Sequence, residues 1–181
     1  MKYFNLSILS LMLFSGSYLF AQTKSANDTL HWRNSKPLSW EDFKGKPKTG
    51  MSGEAYCQLE ANYEKPNPLK KTKFKIAAVW DKKKSWIAPA AKTSDELLYY
   101  QVLFNIYEAH ARKLRKEFSE TKFGLKPEEE FRGKYNAASE DLTQESDSYK
   151  EETNDGTDKD AVKKWNDKIN EELKQLGQFT E

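Results

Sequence analysis

The chain has 181 residues, with 30 Lys and Arg against 28 Asp and Glu, which gives a formal net charge of +2 at pH 7. Such a balanced composition favours neither nucleic acid nor a membrane surface as a partner. The single cysteine, Cys57, excludes an intrachain disulfide and a cysteine-based zinc cluster. The length suits one domain after a leader.

The first 21 residues have the pattern of a secretory signal peptide. Lys2 precedes a mainly apolar run over 4–20, and the segment ends in a small residue, Ala21. An uncleaved membrane anchor is the alternative, but the run contains too many polar residues for a good span. We therefore expect a secreted or periplasmic protein with no membrane span after cleavage and a polar leader at 22–29.

Four stretches in the next part of the chain predict strands. The residues at 30–33 and Trp86–Ile87 predict short strands. Apolar and polar residues alternate over 54–63 and 73–80, which is typical of strands buried on one face. The predicted inward side chains are Ala55, Cys57, Leu59, Ala61 and Tyr63 in the first, and Phe74, Ile76, Ala78 and Trp80 in the second. Because the connection between these two strands is short, we expect an antiparallel pair.

The pattern over 94–118 predicts a long central helix. Thr93 and Glu96 form an S/T-x-x-E capping box, and neither Gly nor Pro interrupts the stretch. The residues at 97–106 are apolar or aromatic on almost every face. Basic residues near the end suit the helix dipole: Arg112, Lys113, Arg115 and Lys116. The sequence thus predicts a helix that is buried at its start and solvated at its end.

Two amphipathic helices are predicted in the last third. Pro127 and three following glutamates suit a helix start, whereas Asn154, Asp155 and Gly156 form a break and Gly177 a stop. The apolar stripes are Phe131, Tyr135, Ala138, Leu142 and Tyr149, then Val162, Trp165, Ile169, Leu173 and Leu176. Partial disorder between residues 139 and 160 is the alternative. Strands followed by helices indicate an α+β domain over 30–177, with a small antiparallel sheet packed on the long helix and a tail at 178–181.

Four separated segments carry a resemblance to a known family. The first has the pattern L-x-W-x-D-F-x-G-x-P at 38–47, and the second is Ser-Trp-Ile at 85–87. The third, F-N-I-x-E-x-x-A-R-K-L-R at 104–115, includes Glu108 and Arg112. The fourth combines Tyr149, Thr153, Gly156 and Trp165. In this order, over about residues 30 to 176, they resemble a bacterial domain-of-unknown-function family described as secreted, zinc-dependent, protease-like proteins. The resemblance implies a zincin-like fold.

The chain departs from this family at the metal site. The family's helix carries H-E-x-x-H, in which two histidines bind zinc and the glutamate acts as general base. Here Tyr99 and Leu103 stand at the ligand positions, Tyr100 stands at the base position, and Asp155 stands where a later histidine is expected. Leucine has no lone pair, and a neutral tyrosine is a poor zinc ligand. The resemblance therefore implies a scaffold without catalytic residues, metal or cofactor.

Gln101, Glu108 and His110 are candidate residues of a remaining cleft. A metal site that uses His110 with Glu108 or Asp155 is an alternative, but a lone histidine near a helix end is more often solvated or capping, and catalytic zinc needs three protein ligands. Cys57 on an apolar strand face is interpreted as a small buried hydrophobe rather than a catalytic thiol. Tyr99 and Tyr100 are interpreted as filling the lost site, with ligand binding as the alternative.

These observations predict an exported protein with a metalloprotease-like scaffold, catalytically inactive, that acts as a binding or structural protein of the cell envelope. Its partner would be a protein, a peptide or a glycan. The alternative is a secreted hydrolase or peptidase whose active site is displaced or has another form. An open polar cleft around Tyr99, Leu103 and Asp155 would favour binding, whereas close packing there would favour a structural role. Trp40 and Phe43 are expected to anchor their segment on the core.

Overall fold

The computed structural model describes residues 28–64, 72–124 and 126–181. The predicted signal peptide, 1–21, and most of the predicted leader, 22–29, lie outside these ranges. Within them, five strands are followed by three long helices, so the predicted α+β class is confirmed. No helix in the described ranges is both long enough and apolar enough to cross a membrane.

The strands form two antiparallel ladders. The strands are β1 (Thr29–His31), β2 (Gly53–Glu54), β3 (Cys57–Tyr63), β4 (Phe74–Asp81) and β5 (Trp86–Ile87). The main sheet has the order β1-β4-β3, and β2 pairs with β5 in a second, smaller ladder. The antiparallel pairing of the two alternating stretches is confirmed, with Leu59 opposite Ala78.

The predicted single strand over 54–63 is wrong, because it is divided into β2 and β3. Glu54 pairs with β5, whereas β3 pairs with β4. Between them the backbone N–H of Tyr56 donates to Ser85 Oγ (2.9 Å). The Tyr56 carbonyl accepts from the N–H of Asp81 (2.9 Å). The alternation of side chains continues across this break, so the pattern alone contains no sign of it.

The helices are α1 (Ser94–Glu120), α2 (Glu128–Glu152) and α3 (Lys159–Gln175). The side chain of Thr93 accepts from the N–H of Glu96 (3.2 Å), as the capping pattern predicts. The described ranges also contain three short 3₁₀ turns: Trp40–Asp42, Pro89–Ala91 and Gly177–Phe179. The helices, strands and turns that the structure describes run from Thr29 to Phe179.

α1 lies at the centre of the core and contacts both the sheet and the two other helices. On one side Tyr100 and Phe104 pack against Trp80 of β4, with ring centroids 6.2 and 5.8 Å apart. On another side Tyr99 stacks on Tyr149 of α2. The predicted stripes of α2 and α3 pack against this core, with these residues buried: Leu142, Tyr149, Val162, Trp165, Ile169 and Leu173.

The expectation of a solvated basic end of α1 is wrong for Arg112, which is buried. The carboxylate of Glu108 accepts hydrogen bonds from Arg112 Nε (2.9 Å) and from Arg115 Nη1 (3.0 Å). Glu108 itself is only 2 % exposed. The buried guanidinium of Arg112 is stabilised by this carboxylate and by the carbonyl of Leu173, to which its Nη1 donates. Conversely, Leu98 in the first turns is partly exposed.

The opening segment at 38–47 is anchored through Asp42, which is 2 % exposed. Asp42 Oδ2 accepts from the backbone N–H (3.0 Å) and the hydroxyl (2.9 Å) of Ser39, and Lys82 Nζ lies 2.7 Å from Oδ1. Burial alone would raise the pKa of Asp42, but these hydrogen bonds outweigh it and lower the pKa. Phe43 is buried and Trp40 partly buried against the core, as expected.

We expect Glu108→Gln to lower the free energy of unfolding by about 3–5 kcal/mol, because it leaves the buried Arg112 without its counter-charge. The matched control is Glu117→Gln, since Glu117 is exposed and pairs with Lys134 at the surface. We expect the control to lose less than about 1 kcal/mol. Urea denaturation of both variants measures the difference. Equal losses would contradict a structural role for the Glu108 cluster.

Candidate functional site

The residues that the resemblance aligns with the family's zinc site are buried inside the core. Tyr99, Tyr100 and Leu103 are 6 %, 4 % and 5 % exposed. Tyr99 and Leu103 are one helical turn apart and therefore share a side of α1. The structure thus has closely packed apolar and aromatic side chains where the family pattern has a zinc ligand pair.

Tyr99 is enclosed by α2 and by the loop that follows it. Its ring stacks on Tyr149, with centroids 5.2 Å apart and planes 20° apart. The hydroxyl of Tyr149 donates to the Tyr99 carbonyl (2.9 Å). A Cβ added to Gly156 would lie only 2.7 Å from Cγ of the Tyr99 ring. The loop is therefore seated directly on the ring, which leaves no room for a metal ion and water on this side of Tyr99.

This loop has an unusual backbone conformation. Asn154, Asp155 and Gly156 have φ values of +47°, +51° and +86°. Asparagine and aspartate tolerate the left-handed region better than other residues with a Cβ. Thr153 is fully buried, donates from its hydroxyl to the Tyr149 carbonyl (2.7 Å) and accepts from the N–H of Gly156 (3.3 Å). The end of α2 thereby fixes the position at which the loop meets α1.

Asp155 lies near the two tyrosines, as the resemblance predicts for this position. Burial raises the pKa of Tyr99 well above its usual range, and the negative charge of Asp155 raises it further. Burial likewise raises the pKa of Tyr100, followed by the charge of Glu96. Both phenols are therefore neutral at physiological pH. A neutral phenol beside carboxylates can donate a hydrogen bond, but it provides neither a good zinc ligand nor a general base.

Tyr100 points into a second aromatic group rather than into a cleft. Its ring packs edge-on against Phe43 (5.2 Å) and Trp80 (6.2 Å). Its hydroxyl hydrogen-bonds to Glu96, and this bond offsets part of the increase that burial causes in the pKa of Glu96. A side chain at Gly53 would collide with the same hydroxyl. The position of the family's general base is thus a packing position here.

The three candidate cleft residues do not line one cleft. Gln101 accepts from the backbone N–H of Leu38 (2.7 Å) through Oε1, whereas Glu108 binds the two arginines described above. His110 is 4 % exposed, and its Nε2 lies 2.8 Å from Glu145 Oε2 on α2. The expectation of a solvated His110 is therefore wrong. α2 covers the histidine and supplies the carboxylate that pairs with it.

Glu145 is the centre of an ion-pair network between the helices. Lys168 Nζ lies 2.8 Å from Oε1, and Lys113 Nζ lies 3.5 Å from Oε2. The hydrogen bond with His110 is the main reason why the pKa of Glu145 is well below its usual range, although burial opposes the change. In the part of the chain that the structure describes, no three His, Cys, Asp or Glu side chains are grouped to hold a metal ion. The geometry therefore does not support the alternative metal site that uses His110.

The cysteine and the second histidine do not form a catalytic pair. β1 and β3 flank β4, so His31 and Cys57 lie on opposite edges of the main sheet. Cys57 is partly rather than fully buried, and desolvation raises the pKa of its thiol, which is the opposite of what a reactive cysteine needs. Tyr107 lies beside it, and burial followed by the neighbouring Cys57 raises the pKa of Tyr107 to about 12.

The residues that carry the family resemblance hold the scaffold together. Asp42 fixes the opening segment, Glu108 and Arg112 form the buried ion pair, and Tyr149 joins α2 to α1. Sequence reasoning missed Glu145, which lies in a charge-rich stretch 35 residues from His110. Nothing local distinguishes Glu145 from the other acidic residues of α2, so its pairing was accessible only through the fold.

Comparison of the chain with protein-family models, with curated proteins and with solved structures found no match. A zincin-like fold therefore stays an expectation from the resemblance of the four segments.

We expect Gly156→Ala to destabilise the domain by about 3 kcal/mol, because the methyl group collides with the Tyr99 ring in addition to straining the backbone. The matched control is Gly50→Ala: Gly50 has a similar φ of +81° but no atom within 4 Å of an added Cβ. This control should lose about 1 kcal/mol, the backbone term alone. Thermal and urea unfolding measure both. Similar losses would show that the loop does not rest on Tyr99.

Proposed function

We propose that this chain is an exported protein with a scaffold resembling that of zinc-dependent proteases, without catalytic activity, that acts as a binding or structural protein of the cell envelope. The observation that supports the absence of catalysis is the close packing of Tyr99, Leu103 and Gly156 at the former metal site. The same packing closes the cleft in which a protease would hold its substrate.

The chemistry of a zinc peptidase explains why this packing matters. A catalytic zinc needs three protein ligands and an open position for water, and a carboxylate must accept the proton of that water. Here Leu103 offers no donor atom, and the raised pKa of Tyr99 keeps its phenol protonated. Tyr100 at the base position is also neutral. The donor set does not fit the metal.

The alternative of a hydrolase with a displaced active site has lost its named candidates. Glu108 is engaged by two guanidinium groups, and His110 is paired with Glu145. Glu108 lines none of the described pockets, and His110, which borders an open pocket of about 840 Å³, meets it with its Nε2 already engaged by Glu145. A binding function therefore has to use a surface other than the former cleft, and a structural function needs no open surface at all.

Purified mature protein is expected to contain no stoichiometric zinc, and EDTA should leave its melting temperature unchanged. The physical reason is that a metal bound to the native state stabilises it by mass action, so removal of such a metal lowers the melting temperature. Metal content is measured by mass spectrometry of the protein after gel filtration in zinc-containing buffer. About one zinc per chain together with an EDTA-induced drop would contradict the proposal.

A second prediction tests the scaffold itself. The quadruple variant Tyr99→His, Tyr100→Glu, Leu103→His and Asp155→His should bind zinc, because Tyr99 and Leu103 share a side of α1 and the loop of Asp155 approaches that side. Hydrolysis should stay weak, since the partners that orient zinc ligands have not been restored. Isothermal titration with zinc chloride measures the affinity, after circular dichroism has established that the variant is folded.

The control is the triple variant that keeps Leu103, which has only two of the three nitrogen ligands. It should bind zinc at least tenfold more weakly than the quadruple variant. If the folded quadruple variant binds zinc no better than the parent, the alignment of α1 with the family helix is wrong. If the quadruple variant does not fold, the double variant Tyr99→His with Leu103→His tests the alignment instead. Its metal binding is measured by the absorption of bound cobalt.

A further inference from the structure

An open groove of about 610 Å³ lies between α1, α3 and the segment that follows β1. Three cationic side chains line it, Arg33, Arg112 and Lys174, and none of its lining side chains among the described residues is a carboxylate. Glu171 lies 3.7 Å from Lys174 but is not part of the lining. With 28 acidic residues against 30 basic ones in the chain, this is a marked local separation of charge. The groove therefore suits an anion.

A chain of hydrogen bonds fixes the amide of Asn105 at the floor of the groove. The N–H of Leu38 donates to Gln101 Oε1 (2.7 Å), and Gln101 Nε2 donates to Asn105 Oδ1 (2.8 Å). Trp32 Nε1 donates to the same Oδ1 (2.8 Å). The orientation of the Asn105 amide is thus determined by two donors at its oxygen. Its amino group has no partner among the described residues, although Asn105 is only 7 % exposed.

Arg112 presents a second donor of the same kind. Its Nε is bound to Glu108 and its Nη1 to the carbonyl of Leu173, whereas Nη2 has no partner in the described part of the chain. Its guanidinium lies over the Trp32 ring, 5.0 Å from the centroid. No fully buried side-chain nitrogen or oxygen in the described ranges lacks a hydrogen bond. Nη2 and the Asn105 amino group are therefore not fully buried, and both residues line the groove.

The charge of Arg112 is not cancelled inside the protein. Glu108 is shared between Arg112 and Arg115, so this cluster of three groups retains one net positive charge. Because Arg112 is 4 % exposed, its remaining donor is preorganised rather than surrounded by bulk water. Preorganised donors in a partly dry site bind a carboxylate more strongly than solvated surface lysines do.

The rim of the groove indicates what else the ligand carries. Asn34, Asn166 and Asn170 each offer an amide that can both donate and accept, which suits hydroxyl groups. Pro37 and Leu173 add apolar surface for C–H groups. The volume lies within the range of small-molecule sites, about 300–1,000 Å³. A ligand with one carboxylate, several hydroxyls and an apolar ring face matches this combination.

We propose that this groove binds an acidic saccharide, with the carboxylate on Asn105 and Arg112 and the hydroxyls on the amides of the rim. The groove lies on the side of α1 opposite to Tyr99, since Gln101 and Asn105 are about 200–240° around the helix from it. The inference deepens the proposed function by naming a ligand class. It rests on that function only for the envelope setting, and its test does not involve the former metal site.

In the test, the mature protein is titrated with a trimer of galacturonic acid and, separately, with a hyaluronan tetramer. Isothermal titration calorimetry measures the affinity for each. The matched ligand control is the methyl-esterified galacturonate trimer, which keeps the hydroxyls but has no charge. Sodium acetate and a tripeptide with a free carboxyl terminus complete the set. At least one acidic oligomer should bind, and at least tenfold more tightly than the ester, acetate or the tripeptide.

The decisive variant is Asn105→Asp, which can still accept from Trp32 and Gln101 but replaces the donor with a negative charge. It should weaken binding of the acidic oligomer at least tenfold. If this variant does not fold, the double variant Arg33→Gln with Lys174→Gln, which changes only the exposed rim, should weaken binding at least fivefold. The matched controls are Arg132→Gln and Lys163→Gln, which are exposed and lie outside the groove.

The proposal is overturned if neither acidic oligomer binds, or if the ester binds as well as the acid. It is also overturned if acetate or the tripeptide binds as tightly as the oligomers, since the site would then be a plain anion site or a peptide site. Binding that the groove variants leave unchanged would place the saccharide elsewhere and would overturn it too. None of these outcomes changes the zinc content, so a failure here is distinct from a failure of the non-catalytic assignment.

Discussion

The buried carboxylate of Glu108 is the constraint on which much of this structure depends. It holds Arg112 and Arg115, and these two arginines connect α1 to three other parts of the fold. Arg112 Nη1 donates to the carbonyl of Leu173 at the end of α3, while Arg115 donates to the carbonyl of Ile76 in β4 and to that of Phe179 in the last turn. Removing a carboxylate from such a cluster leaves buried positive charge without compensation. One acidic side chain thus positions the two arginines through which α1 is hydrogen-bonded to the sheet, to α3 and to the last turn.

The sequence allows the helices to be predicted better than the strands, for a physical reason. The stripe from Val162 to Leu173 and the cap at Thr93 are local patterns, and local hydrogen bonds and one-sided burial are sufficient to produce them. The division of 54–63 depends instead on Ser85 and Asp81, which reach the backbone of Tyr56 from another part of the chain. The alternation of apolar and polar side chains gives no information about such a distant partner. Burial of Arg112 escaped prediction for the same reason, since its partners include a carbonyl 61 residues away.

The candidate site divides in a similar way. The convergence of Tyr99 with the loop before Gly156 is expected from the order and spacing of the resembling segments, and in the structure the loop is seated on the ring. The pairing of His110 with Glu145 depends on how α2 crosses α1, which no periodicity specifies. Asn105 was placed among the residues of the family pattern but given no role. Its role follows from the fold, because Trp32 and Gln101 donate to its side-chain oxygen and its amino group is left without a partner among the described residues.

The two sides of α1 differ in what their burial makes possible. On the side of Tyr99, the buried side chains of Tyr99, Leu103 and Tyr149 are uncharged, and the rings of Tyr99 and Tyr149 stack. Burial on this side stabilises the domain and also makes the buried side chains less reactive. On the side of Asn105 and Arg112, burial has the opposite consequence, because polar groups that are held rigidly and incompletely paired keep their capacity to bind. One face of α1 can therefore be closed by packing while the other face keeps groups that are able to bind. In the proposed function, the closed face supplies the rigidity that the donors of the open face require.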